Sequence, residues 1–111
     1  MTHRGVVHEF TVVSGHLIPG HPASLINWNA LAQMRGTLVL LMAVENAGAI
    51  AAALVDGGRA PDTPVAIVCD GSLPTERKII STLDRLGLDI VQHRIRPPAI
   101  IVVGEVVALA D

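Results

Sequence analysis

Two uninterrupted apolar runs of strand length, separated by an alanine-rich segment, constrain the fold more than any other feature. The runs are residues 37–42 (TLVLLM) and Pro64–Cys69 (PVAIVC), and each fits a strand that is buried on both faces. The alanine content of residues 43–58 between them favours helix, and Gly57 and Gly58 stop it. This order of strand, helix and strand predicts an α/β fold.

The flanking segments continue the alternation. Residues 6–14 mix β-branched residues with a phenylalanine and predict a strand, which runs into a Gly/Pro-rich loop over residues 15–24. Asn27 is placed to cap a short helix over residues 28–34. A last strand is predicted over residues 99–109, with a kink near its glycine.

Three further local predictions complete the pattern. Glu45 and Asn46 mark the start of the alanine-rich helix, where an acidic or capping group meets the helix dipole. Residues 76–83 fit either a strand or a helix, and residues 83–91 predict a helix that Gly87 weakens. The whole chain, 1–111, is therefore predicted to be a single α/β domain with a mixed β-sheet flanked by helices.

The composition excludes several classes of function. With 50% hydrophobic and 16% charged residues the chain is globular, and a net charge of -2 with scattered Lys and Arg argues against nucleic-acid binding. The longest apolar stretch, residues 97–110, contains Gly104 and Glu105 and is too broken to span a membrane. The single cysteine, Cys69, excludes an internal disulfide and fits a reducing cytoplasm.

Two turns that follow the buried strands are the candidate ligand-binding edge. In open α/β sheets ligands gather at the carboxyl ends of strands, and residues 42–44 and 70–72 stand at two such ends. If the two strands are neighbours, the turns lie side by side, and their small residues let a flat group such as adenine approach the backbone. The simpler interpretation, that Gly71 only makes a tight turn and Met42 packs in the core, stays open on the residues alone.

Other reactive residue types carry no recognisable constellation. No closed zinc spacing is present, so no metal site is predicted from the histidines, of which four lie early in the chain: His3, His8, His16 and His21. Ser72 has no paired base in the pattern and reads as a turn residue, and Cys69 as an inert buried thiol. His93, in a charged run with Arg94 and Arg96, predicts a solvated surface.

Five sequence blocks resemble the uroporphyrinogen-III C-methyltransferases of the tetrapyrrole methylase family. The combination of THRG (2–5) with FTVVSGH (10–16) is more specific to this family than any single block. In chain order the blocks are THRG (2–5), FTVVSGH (10–16), TLVLLMAV (37–44), PVAIVCDGS (64–72) and PPAIIVVGEVVAL (97–109). The resemblance covers essentially the whole chain, but only the C-terminal domain of the family and, in residues 1–16, the hinge and first strand entering it.

The resemblance implies a function for the parent enzyme. Family members transfer methyl groups from S-adenosyl-L-methionine to uroporphyrinogen III, giving precorrin-2 for sirohaem and cobalamin, and act as cytoplasmic homodimers with the cofactor in a cleft between two domains. The missing partner is then the N-terminal methylase domain, which carries the proton-transfer residues, so no catalytic residue is assigned here. The face that would meet that domain is expected to be exposed and apolar, favouring self-association.

The resemblance also implies site residues. Met42, Ala43 and Gly71 fall on the family's cofactor-binding turns, and Arg4 of the THRG block falls on a position similar to one lining the tetrapyrrole cleft. A guanidinium at Arg4 suits a propionate carboxylate, which it can bind through two hydrogen bonds. Ala43 stands where the family usually has glycine, and Ser72 stands where it commonly has threonine.

Three hypotheses follow. In the first, the chain is the C-terminal part of the methyltransferase and is inactive alone. In the second, it is a non-catalytic module that dimerises or binds a separate N-terminal half. In the third, it is part of a methylase that acts on a later corrin precursor, which the THRG and VVSGH blocks argue against.

Overall fold

A computed structural model describes residues 10–16, 26–33, 36–69 and 77–104. These residues form a five-stranded sheet with helices packed on one face. The strands are β1 (Phe10–Ser14), β2 (Thr37–Leu41), β3 (Pro64–Cys69), β4 (Arg77–Thr82) and β5 (Ala99–Val103). The helices are α1 (Trp28–Gln33), α2 (Ala47–Asp56) and α3 (Leu86–Gln92), the last preceded by a 3₁₀ turn at Leu83–Arg85.

The sheet is mixed, as predicted. Its strand order is β1-β2-β5-β3-β4, with β1 parallel to β2 and every other neighbouring pair antiparallel. Strand β5, the last in the chain, therefore lies between β2 and β3. This insertion gives β2 and β3 a hydrogen-bonded neighbour along each edge, and most of their residues are buried, as their continuous apolar sequences indicate.

The two faces of the sheet have different environments, because side chains alternate along each strand. One face joins all three helices in a single hydrophobic core, built on side chains such as Leu40, Ile67 and Ile101, which are fully buried. The opposite face carries the alternate side chains and includes exposed apolar residues at Val12, Ile80 and Ile100. We call it the open face.

Local signals account for the helices. The Asn27 side chain accepts a hydrogen bond from the Ala30 amide at 3.0 Å, so the predicted cap of α1 is confirmed. Helix α2 ends at Asp56 with Gly57 as its C-cap, which confirms the predicted stop. The predicted role of Asn46 is only half right, because it occupies the N-cap position of α2 without a side-chain cap bond. Its amide Nδ2 instead donates to the Gly15 carbonyl at 2.8 Å and ties α2 to the end of β1.

Several predicted boundaries change. Residues 77–82 form β4, which settles the choice between strand and helix. The predicted second strand ends one residue early, at Leu41, because the next residue turns the chain away from the sheet. The last strand ends at Val103, and the chain bends at Gly104, where the kink was predicted. Residues 6–9 of the predicted first strand and residues 105–109 of the predicted last strand lie outside the described residues. None of the described helices is long and apolar enough to cross a bilayer.

Candidate functional site

The carboxyl ends of β2 and β3 lie at one edge of the sheet. Both strands are antiparallel to β5, so they run parallel to each other, with the amino end of β5 between them. The ends of β2 and β3, which the two predicted ligand-binding turns follow, are therefore one strand apart rather than adjacent, and residues 70–72 of the second turn lie outside the described residues.

Met42 stands at the centre of this edge in an unusual conformation. Its backbone has φ 53, in the left-handed region that non-glycine residues seldom occupy, and its side chain is 66% exposed. Such strain costs about 1–3 kcal/mol and clusters at ligand sites, and a thioether side chain exposed to this degree contributes little to the core. The alternative that Met42 only packs in the core is therefore wrong.

Ala43 lies below the surface rather than on it. Its side chain is 1% exposed and belongs to the hydrophobic core. A Cβ atom built on Gly15 would lie 2.6 Å from the Ala43 Cβ, so the ends of β1 and β2 are packed together as closely as their backbones allow. Any contact between Ala43 and a ligand has to involve its backbone.

A groove opens beside Met42 on the open face. Its volume is about 570 Å³, which is within the range of small-molecule sites. The residues that line it are Leu41, Met42, Val44, Val68, Pro97, Pro98, Ala99 and Ile100. The lining is almost wholly apolar, and a flat apolar group can therefore replace water on it with a gain in free energy.

A second, polar recess of about 240 Å³ continues the groove. It shares Met42, Val44 and Pro97 with the groove and adds His16, Glu45 and Asn46. The His16 Nδ1 lies 2.8 Å from the Ser14 hydroxyl, which fixes the orientation of the ring. Together the two cavities place an apolar surface next to hydrogen-bonding groups.

Part of this site is predictable from the sequence. Met42 was predicted and lines both cavities, whereas Gly71 and Arg4 lie outside the described residues. The wall formed by Pro97 to Ile100 was missed as part of a site. The Pro-Pro pair was a usable signal, since it precedes a strand and cannot continue the sheet hydrogen bonding.

The remaining sequence predictions concern residues without a direct role in the groove. Cys69 is a buried thiol that forms no disulfide, as predicted. His93, Arg94 and Arg96 are exposed, as predicted for a solvated surface. In the part of the chain that the structure describes, no three His, Cys, Asp or Glu side chains are grouped to hold a metal ion.

Comparison with known proteins identifies the family. The sequence profile of the tetrapyrrole (corrin/porphyrin) methylases matches residues 1–87. The chain belongs to this family.

Individual tetrapyrrole methylases match almost the whole chain. It is 43% identical over 109 residues to a uroporphyrinogen-III C-methyltransferase from Sinorhizobium, covering 98% of this chain and 39% of that one. It is 38% identical over 111 residues to an S-adenosyl-L-methionine-dependent uroporphyrinogen III methyltransferase from Methanosarcina barkeri, covering 100% of this chain and 44% of that one. The chain thus spans about two-fifths of the length of these relatives.

A solved tetrapyrrole methylase has the same fold. The uroporphyrin-III C-methyltransferase from Thermus thermophilus, complexed with S-adenosylhomocysteine, superposes with a TM-score of 0.80 at 37% identity. The match covers 97% of this chain and 45% of that one. The mixed sheet with its layer of helices is therefore the architecture of this family.

Proposed function

We propose that the chain forms one wall of the cleft in which a uroporphyrinogen-III C-methyltransferase binds S-adenosyl-L-methionine and its tetrapyrrole substrate. In this proposal methyl transfer to uroporphyrinogen III, giving precorrin-2, is the activity of a longer assembly. The opposite wall comes from an N-terminal methylase domain. The proposal is supported by the family membership and by relatives that carry this activity in their names.

Met42 is the observation that carries the proposal. It is a large apolar side chain, exposed and held in a strained backbone conformation at the edge of the sheet where α/β proteins bind ligands. A relative with the same fold is known in complex with S-adenosylhomocysteine. A strained, exposed methionine lowers the stability of the fold if the turn is purely structural. It has a use where its thioether contacts an aromatic base.

The residues present fit the cofactor. The groove is apolar and large enough for a nucleoside, and Met42 and the Pro97–Pro98 segment would hold the adenosine part. Ala43 would contribute only through its backbone, since its side chain is buried. When bound, S-adenosyl-L-methionine supplies an electrophilic methyl group. The part of this chain in the reaction is then to bind and orient, and to exclude water from one side of the cleft.

The other predicted contacts extend this wall. Gly71 is proposed to approach the cofactor from the carboxyl end of β3, and Arg4 to bind a substrate carboxylate. A cytoplasmic homodimer is proposed for the complete enzyme, as the family resemblance implies.

Titration of the 111-residue chain with S-adenosylhomocysteine, followed by NMR, tests the cofactor site. Weak binding is expected, with shifts centred on Met42, and Met42→Ala should weaken it about two- to ten-fold through loss of sulfur–adenine contact. Val91→Ala removes a side chain that is 74% exposed on α3 and is the matched control. Equal affinity of the Met42→Ala and Val91→Ala chains would refute the assignment of the groove.

A second experiment tests whether methyl transfer requires an N-terminal methylase domain in addition to this chain. The chain alone is expected to transfer no methyl group, and activity should appear when an N-terminal methylase domain from a relative is added. Turnover by the chain alone would contradict the proposal. Binding of the added domain without any turnover would favour the alternative of a non-catalytic assembly module.

A further inference from the structure

Met42 presents an oxidisable sulfur atom at the candidate site. The residue is 66% exposed, and it lines both the apolar groove and the polar recess. Peroxides oxidise the thioether of methionine to a sulfoxide, and an exposed sulfur is the one they reach. Met1 and Met34 lie outside the described residues. In the part of the chain that the structure describes, Met42 is therefore the methionine open to this reaction.

The backbone keeps this side chain outside the core. Met42 has φ 53, and the turn around it is pinned on both sides. The Gly15 amide donates to the Leu41 carbonyl at 2.7 Å, and the Asn46 amide donates to the Ala43 carbonyl at 3.1 Å. Rotating the turn to bury the sulfur would break these hydrogen bonds, so the exposure of Met42 is a fixed feature of the fold.

The second sulfur atom of the described residues has the opposite environment. Cys69 is 4% exposed and its side chain belongs to the hydrophobic core. Oxidation at sulfur follows exposure, because the oxidant has to approach the sulfur atom directly. A limited amount of peroxide is therefore expected to modify Met42 and to leave Cys69 unchanged.

Oxidation changes which of the two cavities suits the side chain. The groove is lined almost wholly by apolar side chains, which suits a thioether. A sulfoxide has a polar oxygen that accepts hydrogen bonds, and burying it against an apolar ligand costs free energy. The recess on the other side of Met42 contains the polar side chains of His16, Glu45 and Asn46. An oxidised Met42 is thus favoured in the recess or in water and disfavoured in contact with a ligand in the groove.

We propose that Met42 is a reversible oxidation site, at which a peroxide lowers the affinity of this wall for S-adenosyl-L-methionine. The inference rests on the proposed function and adds to it a means of regulation. The sulfur lone pair attacks one oxygen of hydrogen peroxide, the O–O bond breaks, and the other oxygen leaves as water. The sulfur is oxidised by two electrons and the peroxide is reduced. A methionine sulfoxide reductase reverses the step with two electrons from a pair of thiols, which become a disulfide, and releases the oxygen as water.

Mass spectrometry of peptides from the peroxide-treated 111-residue chain measures the modification. Trypsin releases residues 36–59, a peptide that contains Met42 as its one methionine and has no cysteine. Oxidation of Met42 should proceed at about half of its rate in the urea-unfolded chain or faster, since the residue is 66% exposed. Saturating adenosine, which has no sulfur to compete for peroxide, should slow it several-fold by covering the groove.

Titration with S-adenosylhomocysteine, followed by NMR after catalase has removed the peroxide, measures the effect on binding. The oxidised chain should bind about ten-fold more weakly than the untreated chain. Treatment with methionine sulfoxide reductases, one for each sulfoxide epimer, should restore both the mass of the peptide and the affinity. The circular dichroism spectrum should be the same before and after oxidation, because the side chain lies outside the core.

Two variants separate oxidation of Met42 from damage elsewhere. Met42→Leu keeps an apolar side chain of similar volume without the sulfur, so it should bind within about three-fold of the unaltered chain. Its affinity should not respond to peroxide. Met42→Gln places a polar amide at the same position and should bind as weakly as the oxidised chain before any treatment.

Three results would overturn the proposal: oxidation of Met42 at less than about a tenth of its rate in the unfolded chain, equal affinity of the oxidised and untreated chains, or the same loss of affinity in peroxide-treated Met42→Leu. In each of these cases the proposed function stands as long as the untreated chain binds S-adenosylhomocysteine. If the untreated chain does not bind it, the cofactor assignment itself fails and the regulation fails with it.

Discussion

Gly48 of α2 and Gly87 of α3 meet backbone to backbone. A Cβ atom added to Gly87 would lie 2.9 Å from the Gly48 Cα, a separation that real Cβ atoms essentially never show. A Cβ atom added to Gly48 would lie 3.7 Å from the Gly87 Cα, which is ordinary van der Waals contact. The two glycines are therefore not equivalent, although both sit in the same helix contact.

This asymmetry predicts opposite effects of the same substitution. Gly87→Ala should lower the free energy of unfolding by about 1–3 kcal/mol, because the obstacle is backbone and the helices have to separate. Gly48→Ala should raise it by about 0.5–1 kcal/mol through better helix propensity. Urea denaturation followed by circular dichroism measures both. Equal destabilisation by the two variants would show that the helices do not cross as described.

Gly87 also shows where sequence reasoning stops. Taken as a local signal, a glycine inside residues 83–91 predicts only a weaker helix. Its actual role depends on Gly48, almost forty positions earlier in the chain, and no local pattern reports that contact. Strands β2 and β3 were predictable because most of their residues are buried, and such burial leaves a continuous apolar run in the sequence.

Gly15 and Ala43 form a second close contact, and it couples the end of β1 to the candidate site. Gly15→Ala should lower the free energy of unfolding by about 1–3 kcal/mol, because the new Cβ would lie 2.6 Å from that of Ala43. Adding Ala43→Gly should restore part of this loss, since it removes the obstructing atom. Urea denaturation of both single variants and of the double variant completes a double-mutant cycle.

The sign of the coupling free energy in this double-mutant cycle can be predicted. A coupling free energy of about 1 kcal/mol in favour of the double variant is expected for residues in direct contact. Part of the strain should remain, because the Gly15 Cβ would also meet the end of the Ile50 side chain at 2.8 Å. Additive losses would mean that the two strand ends do not touch.

The candidate site was predictable only on its β2 side. Met42 follows a recognisable buried strand, so its place at a strand end could be read from the sequence. The opposing wall, from Pro97 to Ile100, reaches Met42 only because β5 returns from the end of the chain and inserts between β2 and β3. That strand order is set by pairing between segments distant in sequence. It cannot be predicted from the apolar runs, because a run does not identify the strand with which it pairs.

The cap of α1 gives a prediction on local structure. Asn27→Ala removes the oxygen that accepts the Ala30 amide, and it should lower the free energy of unfolding by about 1 kcal/mol. Asn27→Ser retains an acceptor and should cost only a few tenths of a kcal/mol. Thermal and urea denaturation of the pair provide the measurement, and identical losses would mean that the side chain does not cap the helix.

Arg59 is a buried cation that joins two elements distant in sequence. It is 8% exposed, and its guanidinium donates to the carbonyls of Leu31, in α1, and Gly36, before β2. Because both carbonyls lose a charged donor together, Arg59→Met should lower the free energy of unfolding by about 2–4 kcal/mol. Arg59→Lys keeps the charge without the planar fork and should recover less than half of that loss.

Arg85→Met, which removes an exposed cation 3.9 Å from Asp89, should cost less than about 1 kcal/mol in the same urea denaturation experiment. If the Arg59 and Arg85 variants were equally stable, the buried guanidinium would not be a structural link between α1 and the sheet.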